Sequence, residues 1–279
     1  MRAELGGANS RVRLPAHLPA LDGLRGVAIL LVAVHMLGML DAPRGVVASA
    51  LSSALARGWA GVQLFFVLSG FLITGILLDT QSADNALPTF FARRFLRILP
   101  LYYLVLFVAF VVAPLLGPVP PALAHDRAHQ IWFWTYLSNW VLPYEAGSRA
   151  FPHFWSLAVE EQFYLVWPFV LRNRSPASCV RVCLGVAIAS LAIRIGFLAA
   201  HLPSGAIYVF SVTRMDALAL GGAAAAAIRI PTLAAALLGD SRRIWLASLL
   251  TGAVGAGITK GFALATLACQ SVGYTLLAT

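Results

Sequence analysis

Charged side chains are scarce in this sequence. They make up 11% of the 279 residues, whereas soluble globular chains carry roughly 25%. Hydrophobic residues account for 60% of the chain, and the mean hydropathy is +0.82. This composition excludes an ordinary soluble domain and indicates a membrane protein that crosses the bilayer several times.

Cysteine and the common nucleotide and hydrolase motifs are also rare or missing. The three cysteines, Cys179, Cys183 and Cys269, lie in or beside apolar segments without accompanying His or acidic residues. We therefore interpret them as small hydrophobic residues and predict neither a metal site nor a disulfide framework. The chain contains no P-loop, HExxH, GxSxG or GxGxxG, so a nucleotide-binding fold is not supported.

The apolar segments predict an all-α, polytopic transmembrane helix bundle with about eight spans. The predicted spans are Leu21–Leu40, Trp59–Leu78, Ile98–Leu116, Phe154–Leu171, Val182–Ala200, Ala206–Ile228, Ile244–Thr259 and Phe262–Leu277, of which the last two are shorter. No soluble domain and no internal repeat is visible. We predict one integral membrane domain over residues 1–279, with an arm at 1–17 and the spans within 21–277.

The net charge of +9 predicts orientation rather than nucleic-acid binding, because the basic residues lie between the apolar spans. Most of them fall in alternate connections: the N-terminal arm, Asp79–Arg97, the turn from Arg172 to Arg181, and Arg229–Arg243. Such connections are typically cytoplasmic. The N-terminus is therefore predicted to be cytoplasmic, and the partner is the lipid bilayer, not nucleic acid.

The first of three polar clusters lies in the first span, where His35 follows Arg25 by ten residues. On a helix this spacing places the imidazole about 15 Å deeper in the bilayer. Ionisable groups in spans cost about 2.5–3.5 kcal/mol each and are usually retained for a function. His35 is therefore a candidate general base. The alternative is a structural His that hydrogen-bonds a helix carbonyl.

The second cluster, Arg93, Arg94 and Arg97, precedes the third span, and Arg94 and Arg97 share a helix face. Planar guanidinium groups suit phosphate, so this cluster is a candidate dock for a nucleotide-like cofactor at the inner surface. Arginines beside a span also anchor its orientation and reach lipid phosphates. The sequence leaves both interpretations open.

The third cluster is the carboxylate pair Glu160 and Glu161. On a helix the two side chains point about 100° apart, so at most one faces a given site. A buried carboxylate could orient His35 or pair with an arginine, and we favour this role over a position in an aromatic outer interface.

Five ordered segments resemble acyltransferase family three, the integral membrane O-acyltransferases that modify bacterial surface polysaccharides, Nod factors and macrolides. They are LDGLRGVAILLVAVH, GVQLFFVLSGFLITGILL, ARRFLRILPLYYLVL, HFWSLAVEEQFYLVWPFVL and TRMDALALGGAAA. The resemblance covers roughly Leu21–Ala227, and five segments in order are a specific signal.

The resemblance implies transfer of an acyl group, typically acetyl from acetyl-CoA, to a hydroxyl of a carbohydrate or lipid-linked glycan, at the bacterial inner membrane and without a metal. It implies His35 as the catalytic His, Arg25 as its basic partner, and Glu160 as the carboxylate of the S-L-x-x-E segment. It implies Arg94 with Arg97 as the R-x-x-R pair, beside Arg93.

Since the family has roughly ten spans, the chain is expected to be C-terminally short. A proton- or anion-coupled transporter and an inactive remnant are the alternatives that the sequence leaves open.

Overall fold

The computed structural model describes residues 19–38, 56–141, 143, 147–239, 241–258 and 269–278. Within these ranges the chain is helical apart from turns and short connections, and no strand occurs there. The predicted all-α fold class is therefore confirmed.

The α-helices are numbered in chain order. They are α1 (Pro19–Gly38), α2 (Ala60–Thr80), α3 (Ala86–Phe107), α4 (Ala113–Leu116), α5 (Pro121–Ala128), α6 (Gln130–Trp134), α7 (Ser138–Val141), α8 (Phe154–Leu171), α9 (Pro176–Ala199), α10 (Ser204–Val209), α11 (Ser211–Ala227), α12 (Pro231–Leu238), α13 (Ser241–Ile258) and α14 (Tyr274–Ala278). A 3₁₀ turn, Ala56–Trp59, leads into α2, and a π-helical turn, Val108–Val112, joins α3 to α4.

Among the described residues, four helices are long and apolar enough to cross a membrane. They are Pro19–Met36, Ala60–Thr80, Ala86–Leu116 and Pro176–Ala199. A fifth span is formed if Ser204–Ala227 and Pro231–Leu237, which meet at an angle of 108°, count as one. The bend has a local cause, because Ile230 is extended and a residue before proline disfavours the helical conformation.

The predicted count of about eight spans is not confirmed. Helix α8 has the predicted bounds, Phe154–Leu171, but is not among these four, since Glu160, Glu161 and Gln162 lower its mean hydropathy. Helix α13 contains a shorter apolar stretch, Leu246–Gly255. The last predicted span, Phe262–Leu277, lies partly outside the described residues. The structure thus supports a helical membrane protein with four or five candidate spans in the part it describes.

The chain divides into two compact units. The first unit comprises Met1–Asp79, Asn173–Ile188 and Asp216–Thr279, and the second comprises Thr80–Arg172 and Ala189–Met215.

In the first unit, α2 and α11 pack backbone against backbone at two glycines. A methyl group added at Gly70 would overlap the Leu218 carbonyl oxygen, and one added at Gly221 would overlap the Val67 carbonyl oxygen. Small residues let membrane helices approach this closely because they place no bulky side chain between the backbones. The close approach therefore depends on glycine at both positions.

Polar contacts also connect distant parts of the first unit. Arg229 donates from Nε to Asp79 Oδ1 at 2.8 Å and from Nη1 to the Ala225 carbonyl at 2.6 Å. The hydroxyl of Thr275 donates to Asp216 Oδ2 at 2.6 Å. These contacts satisfy ionisable groups that would otherwise be costly beside lipid.

An aromatic cluster forms the core of the second unit. The Tyr102 ring stacks on the Tyr136 ring with centroids 4.1 Å apart, and the Tyr102 hydroxyl donates to the Phe133 carbonyl at 2.8 Å. Tyr103 likewise donates to the Trp134 carbonyl at 3.2 Å. These contacts hold α6 and the residues just after it against α3. Buried tyrosine rings usually find a hydrogen-bond partner for the hydroxyl, as Tyr102 and Tyr103 do here.

Asp126 ties α5 to the residues before α8. Its carboxylate is fully buried and accepts hydrogen bonds from the Ser148 hydroxyl at 2.7 Å and from the backbone N–H groups of Arg149, Ala150 and Phe151 at 3.0, 2.8 and 3.2 Å. His125 Nδ1 lies 3.0 Å from the same carboxylate. A buried carboxylate with this many donors is stabilised in its charged form.

Candidate active site

His35 lies in the last turn of α1, where its side chain is half-buried. The 3₁₀ turn before α2 packs directly against this part of α1. A methyl group at Gly58 would come within 2.8 Å of the His35 Cβ and would overlap the Leu31 carbonyl oxygen. Gly58 therefore lets the 3₁₀ turn pack against the end of α1. This contact holds the backbone of His35 in place within the first unit.

Arg25 lies on the same helix, so the rise per residue separates it from His35 by about 15 Å. Its guanidinium carbon lies 5.4 Å from the centroid of the Phe65 ring on α2, within the range of a cation–π interaction. The continuous helix thus keeps Arg25 and His35 three turns apart, and Arg25 contacts α2 instead.

The arginine cluster lies within α3 of the second unit, and its members differ in environment. Arg93 and Arg97 are exposed, whereas Arg94 is half-buried. The Arg94 guanidinium carbon lies 3.5 Å from the centroid of the Tyr164 ring on α8. Its Nε is buried and has no hydrogen-bond partner among the described residues. One donor of Arg94 is therefore buried without an acceptor in the part of the chain that the structure describes.

The two carboxylates of α8 lie in different surroundings, as their adjacent positions on a helix require. Glu160 is 4% exposed, so its side chain is buried, and its role stays a prediction. Glu161 is half-buried and interacts electrostatically with Arg94. Glu161 thus interacts with Arg94, whereas the resemblance implies Glu160 as the functional carboxylate.

Tyr164 is the residue of this site that the sequence reasoning missed. Its ring is 2% exposed, and it follows Glu161 by three residues, so that both lie on one face of α8. The spacing of one helical turn between Glu161 and Tyr164 is visible in the sequence, but it does not identify Arg94 as the contact. What the sequence lacked was the pairing of α3 with α8.

Two further arginines of the second unit, Arg194 and Arg214, are completely buried. Arg194 donates to the Thr213 carbonyl at 2.5 Å. The guanidinium carbon of Arg214 lies 5.0 Å from the Tyr208 ring centroid and 5.8 Å from that of Trp155. Arg194 on α9 thus contacts α11, and Arg214 on α11 lies near rings of α8 and α10.

The candidate residues fall into both units. His35 and Arg25 belong to the first unit, and Arg93, Arg94, Arg97 and Glu160 belong to the second. Within the second unit the structure brings Arg94, Glu161 and Tyr164 together. Across the part of the chain that the structure describes, no group of three or more His, Cys, Asp or Glu residues could hold a metal ion.

Comparison with known proteins gives one family and several relatives. A family model described as an acyltransferase domain matches residues 18–278. The chain is 31% identical to the peptidoglycan O-acetyltransferase OatA of Listeria monocytogenes over 189 residues. These residues cover 62% of this chain and 28% of that protein. The chain is 31% identical over 223 residues to the O-acetyltransferase OatA of Staphylococcus aureus, covering 74% of this chain and 34% of the relative.

A third relative, the putative peptidoglycan O-acetyltransferase YrhL of Bacillus subtilis, is 36% identical over 166 residues, which cover 56% of this chain and 24% of that protein. The chain thus spans about a quarter to a third of the length of these curated relatives. No solved structure matches.

Proposed function

The chain belongs to the acyltransferase family whose domain model matches residues 18–278, and we propose that it is a membrane O-acyltransferase that moves an acetyl group from acetyl-CoA to a hydroxyl of a cell-envelope glycan. The resemblance inferred from the five segments is confirmed. Because two of the relatives are named as peptidoglycan O-acetyltransferases, peptidoglycan is the first acceptor to test. The bacterial plasma membrane, with the N-terminus in the cytoplasm, is the proposed location.

The proposal rests on the Nε group of Arg94, which is buried and has no hydrogen-bond partner among the described residues. A buried guanidinium N–H without a protein acceptor costs free energy, and a phosphate oxygen is the acceptor that guanidinium binds best. The phosphates of acyl-CoA would supply it. Arg93 and Arg97, exposed on the same helix, would add positive charge that attracts the donor.

His35 is the proposed base for the transfer. It takes the proton of the acceptor hydroxyl while that oxygen attacks the thioester carbonyl carbon, the C–S bond breaks, and the proton passes to the leaving thiolate of CoA. In the second route the imidazole attacks the thioester first, forms an acyl-imidazole and releases CoA before the acceptor hydroxyl takes the acyl group. Glu160 is proposed to act in the same reaction as a carboxylate, and Arg25 as a basic group that lies about 15 Å from His35 along the helix and does not touch the imidazole.

Membranes that contain the full chain, incubated with radiolabelled acetyl-CoA and peptidoglycan, test this function. We expect label bound to the glycan as an ester that mild base removes. His35→Ala should abolish the label while the protein remains inserted. The matched control is Gly26→Ala on the same helix, where an added methyl group meets nothing within 4 Å. Full transfer by His35→Ala, or no ester-bound label with the wild type, would contradict the proposal.

A further inference from the structure

The pairing of α3 with α8 assigns Tyr164 as a positioning residue for the acyl donor: we propose that its ring holds the Arg94 guanidinium in the orientation that binds donor phosphate. Arg94 and Arg97 are then not equivalent. Arg94 is the geometrically fixed ligand, and Arg97 contributes long-range attraction. This inference rests on the proposed function, since it requires a phosphate-bearing donor.

The Arg94 guanidinium lies directly against the Tyr164 ring. The Arg94 carbon lies 3.5 Å from the Tyr164 centroid, which is van der Waals contact between two planar groups and well within the 6 Å range of a cation–π interaction. A guanidinium stacked on a ring keeps its N–H groups in the stacking plane, free of the ring atoms. Its hydrogen-bonding edge is therefore oriented before any ligand arrives.

Tyr164 is itself held rigidly by burial. The ring is 2% exposed, and its neighbour Phe163 stacks on Trp167 with centroids 4.5 Å apart. A buried tyrosine on a helix has few rotamers available. The position of Arg94 is thus determined by packing within the second unit rather than by contact with solvent.

Arg94 differs from the other two arginines of the cluster in its exposure. Arg93 and Arg97 are exposed, so each would lose side-chain freedom when it binds a ligand, whereas Arg94 has already lost it. Glu161 interacts electrostatically with Arg94, but it is the planar ring of Tyr164 that fixes the orientation of the guanidinium.

Coenzyme A binding to the purified full chain in detergent, measured by calorimetry, and acetyl transfer at varied acetyl-CoA together test the inference. Tyr164→Leu should raise the Kd for coenzyme A and the KM for acetyl-CoA by about 5- to 30-fold, with kcat within about twofold of wild type. Tyr164→Phe retains the ring and should restore both values. A lower kcat with unchanged KM would overturn the positioning role.

A second pair of variants keeps the inference testable if Tyr164→Leu does not fold. Arg94→Lys retains the charge but not the planar group, so it should weaken coenzyme A binding at least about tenfold. Arg97→Lys should change it by less than about twofold, and the effect of Arg97→Ala should disappear at high salt, because exposed charges are screened. Equal effects of Arg94→Lys and Arg97→Lys would overturn the inference.

The two proposals fail in distinguishable ways. A wild-type protein that does not bind coenzyme A contradicts the proposed function. Normal binding by the wild type together with normal binding by Tyr164→Leu contradicts only the role of Tyr164.

Discussion

Asp126 is a single residue that organises a whole connecting segment. Burial by itself would raise its pKa, but the hydrogen bonds donated by the Arg149 N–H, the Ser148 hydroxyl, His125 and the Ala150 N–H outweigh burial and lower the pKa below the ordinary value of 3.8. The carboxylate is therefore a structural group that remains charged in the folded protein.

Replacement of this carboxylate by an amide should destabilise the protein. In Asp126→Asn the amide can no longer accept from all the surrounding N–H groups, and unmatched buried donors cost about 1–3 kcal/mol. We expect a lower midpoint of thermal unfolding in detergent, measured by tryptophan fluorescence. Asp84→Asn, at an exposed position, is the control and should leave the midpoint unchanged. Equal midpoints for wild type and Asp126→Asn would contradict the structural role.

The same carboxylate predicts a dependence of stability on pH. Because the pKa is lower in the folded than in the unfolded protein, the stabilisation is complete above the unfolded value of 3.8 and is lost as the pH falls through the folded value. The difference in unfolding midpoint between wild type and Asp126→Asn should therefore be constant from about pH 8 to pH 5 and should shrink below about 3.9. A difference that shrinks already near pH 6 would implicate another group.

Gly58 offers a test of the position of His35 that leaves the imidazole in place. In Gly58→Ala the added methyl group would collide with the Leu31 carbonyl and His35 Cβ, so the end of α1 must shift. A displacement of about 1 Å can cost about 100-fold in rate, and we expect acetyl transfer to fall by about 10- to 100-fold. Gly26→Ala is the matched control, and similar activity of both variants would contradict a requirement for this position.

The residues of the site could be predicted from the sequence only in part. His35, Arg94 and Glu160 could be singled out because ionisable groups in apolar segments are costly. Tyr164 could not be recognised as the contact of Arg94, since a tyrosine in an apolar helix is ordinary and its partner lies about 70 residues away on another helix. The choice between Glu160 and Glu161 likewise depends on which face of α8 meets α3.

At the scale of the helices, hydropathy located the segments better than their ends. Helix α3 begins at Ala86, not at Ile98, because Arg93, Arg94 and Arg97 are good helix formers that hydropathy excludes from a span. Helix α8 has the predicted bounds, Phe154–Leu171. A hydropathy scale measures how favourably a segment transfers into lipid, not whether it forms a helix. It therefore places charged helical turns, such as the first turns of α3, in the connections between spans.

The packing of α2 on α11 gives a prediction for these two helices. Gly70→Ala would force the helices apart, because the methyl group would overlap the Leu218 carbonyl, and overpacking typically costs about 1–3 kcal/mol. We expect a lower midpoint of thermal unfolding in detergent. Gly185→Ala in α9 is the control, since an added methyl group there meets nothing within 4 Å and alanine favours the helix. An unchanged midpoint for Gly70→Ala would mean that the helices separate without cost.

For the whole molecule, the distribution of positive charge predicts which connections are cytoplasmic. Ser82 lies in a connection predicted to be inside and Ser204 beside one predicted to be outside, and both are exposed. A membrane-impermeant maleimide applied to intact cells should label Ser204→Cys but not Ser82→Cys. Permeabilised cells should allow labelling of both. The native cysteines Cys179, Cys183 and Cys269 are buried and should add little background. The reverse pattern would invert the proposed topology.

The contact between Asp79 and Arg229 has a consequence for biosynthesis. The two residues are 150 positions apart, and a ribosome that adds about 5–20 residues each second needs roughly 8–30 s to reach the second after the first. During that interval Arg229 has not been made, so the Asp79 carboxylate lacks the partner that it has in the folded protein. The first unit therefore closes late, when most of the chain has left the ribosome.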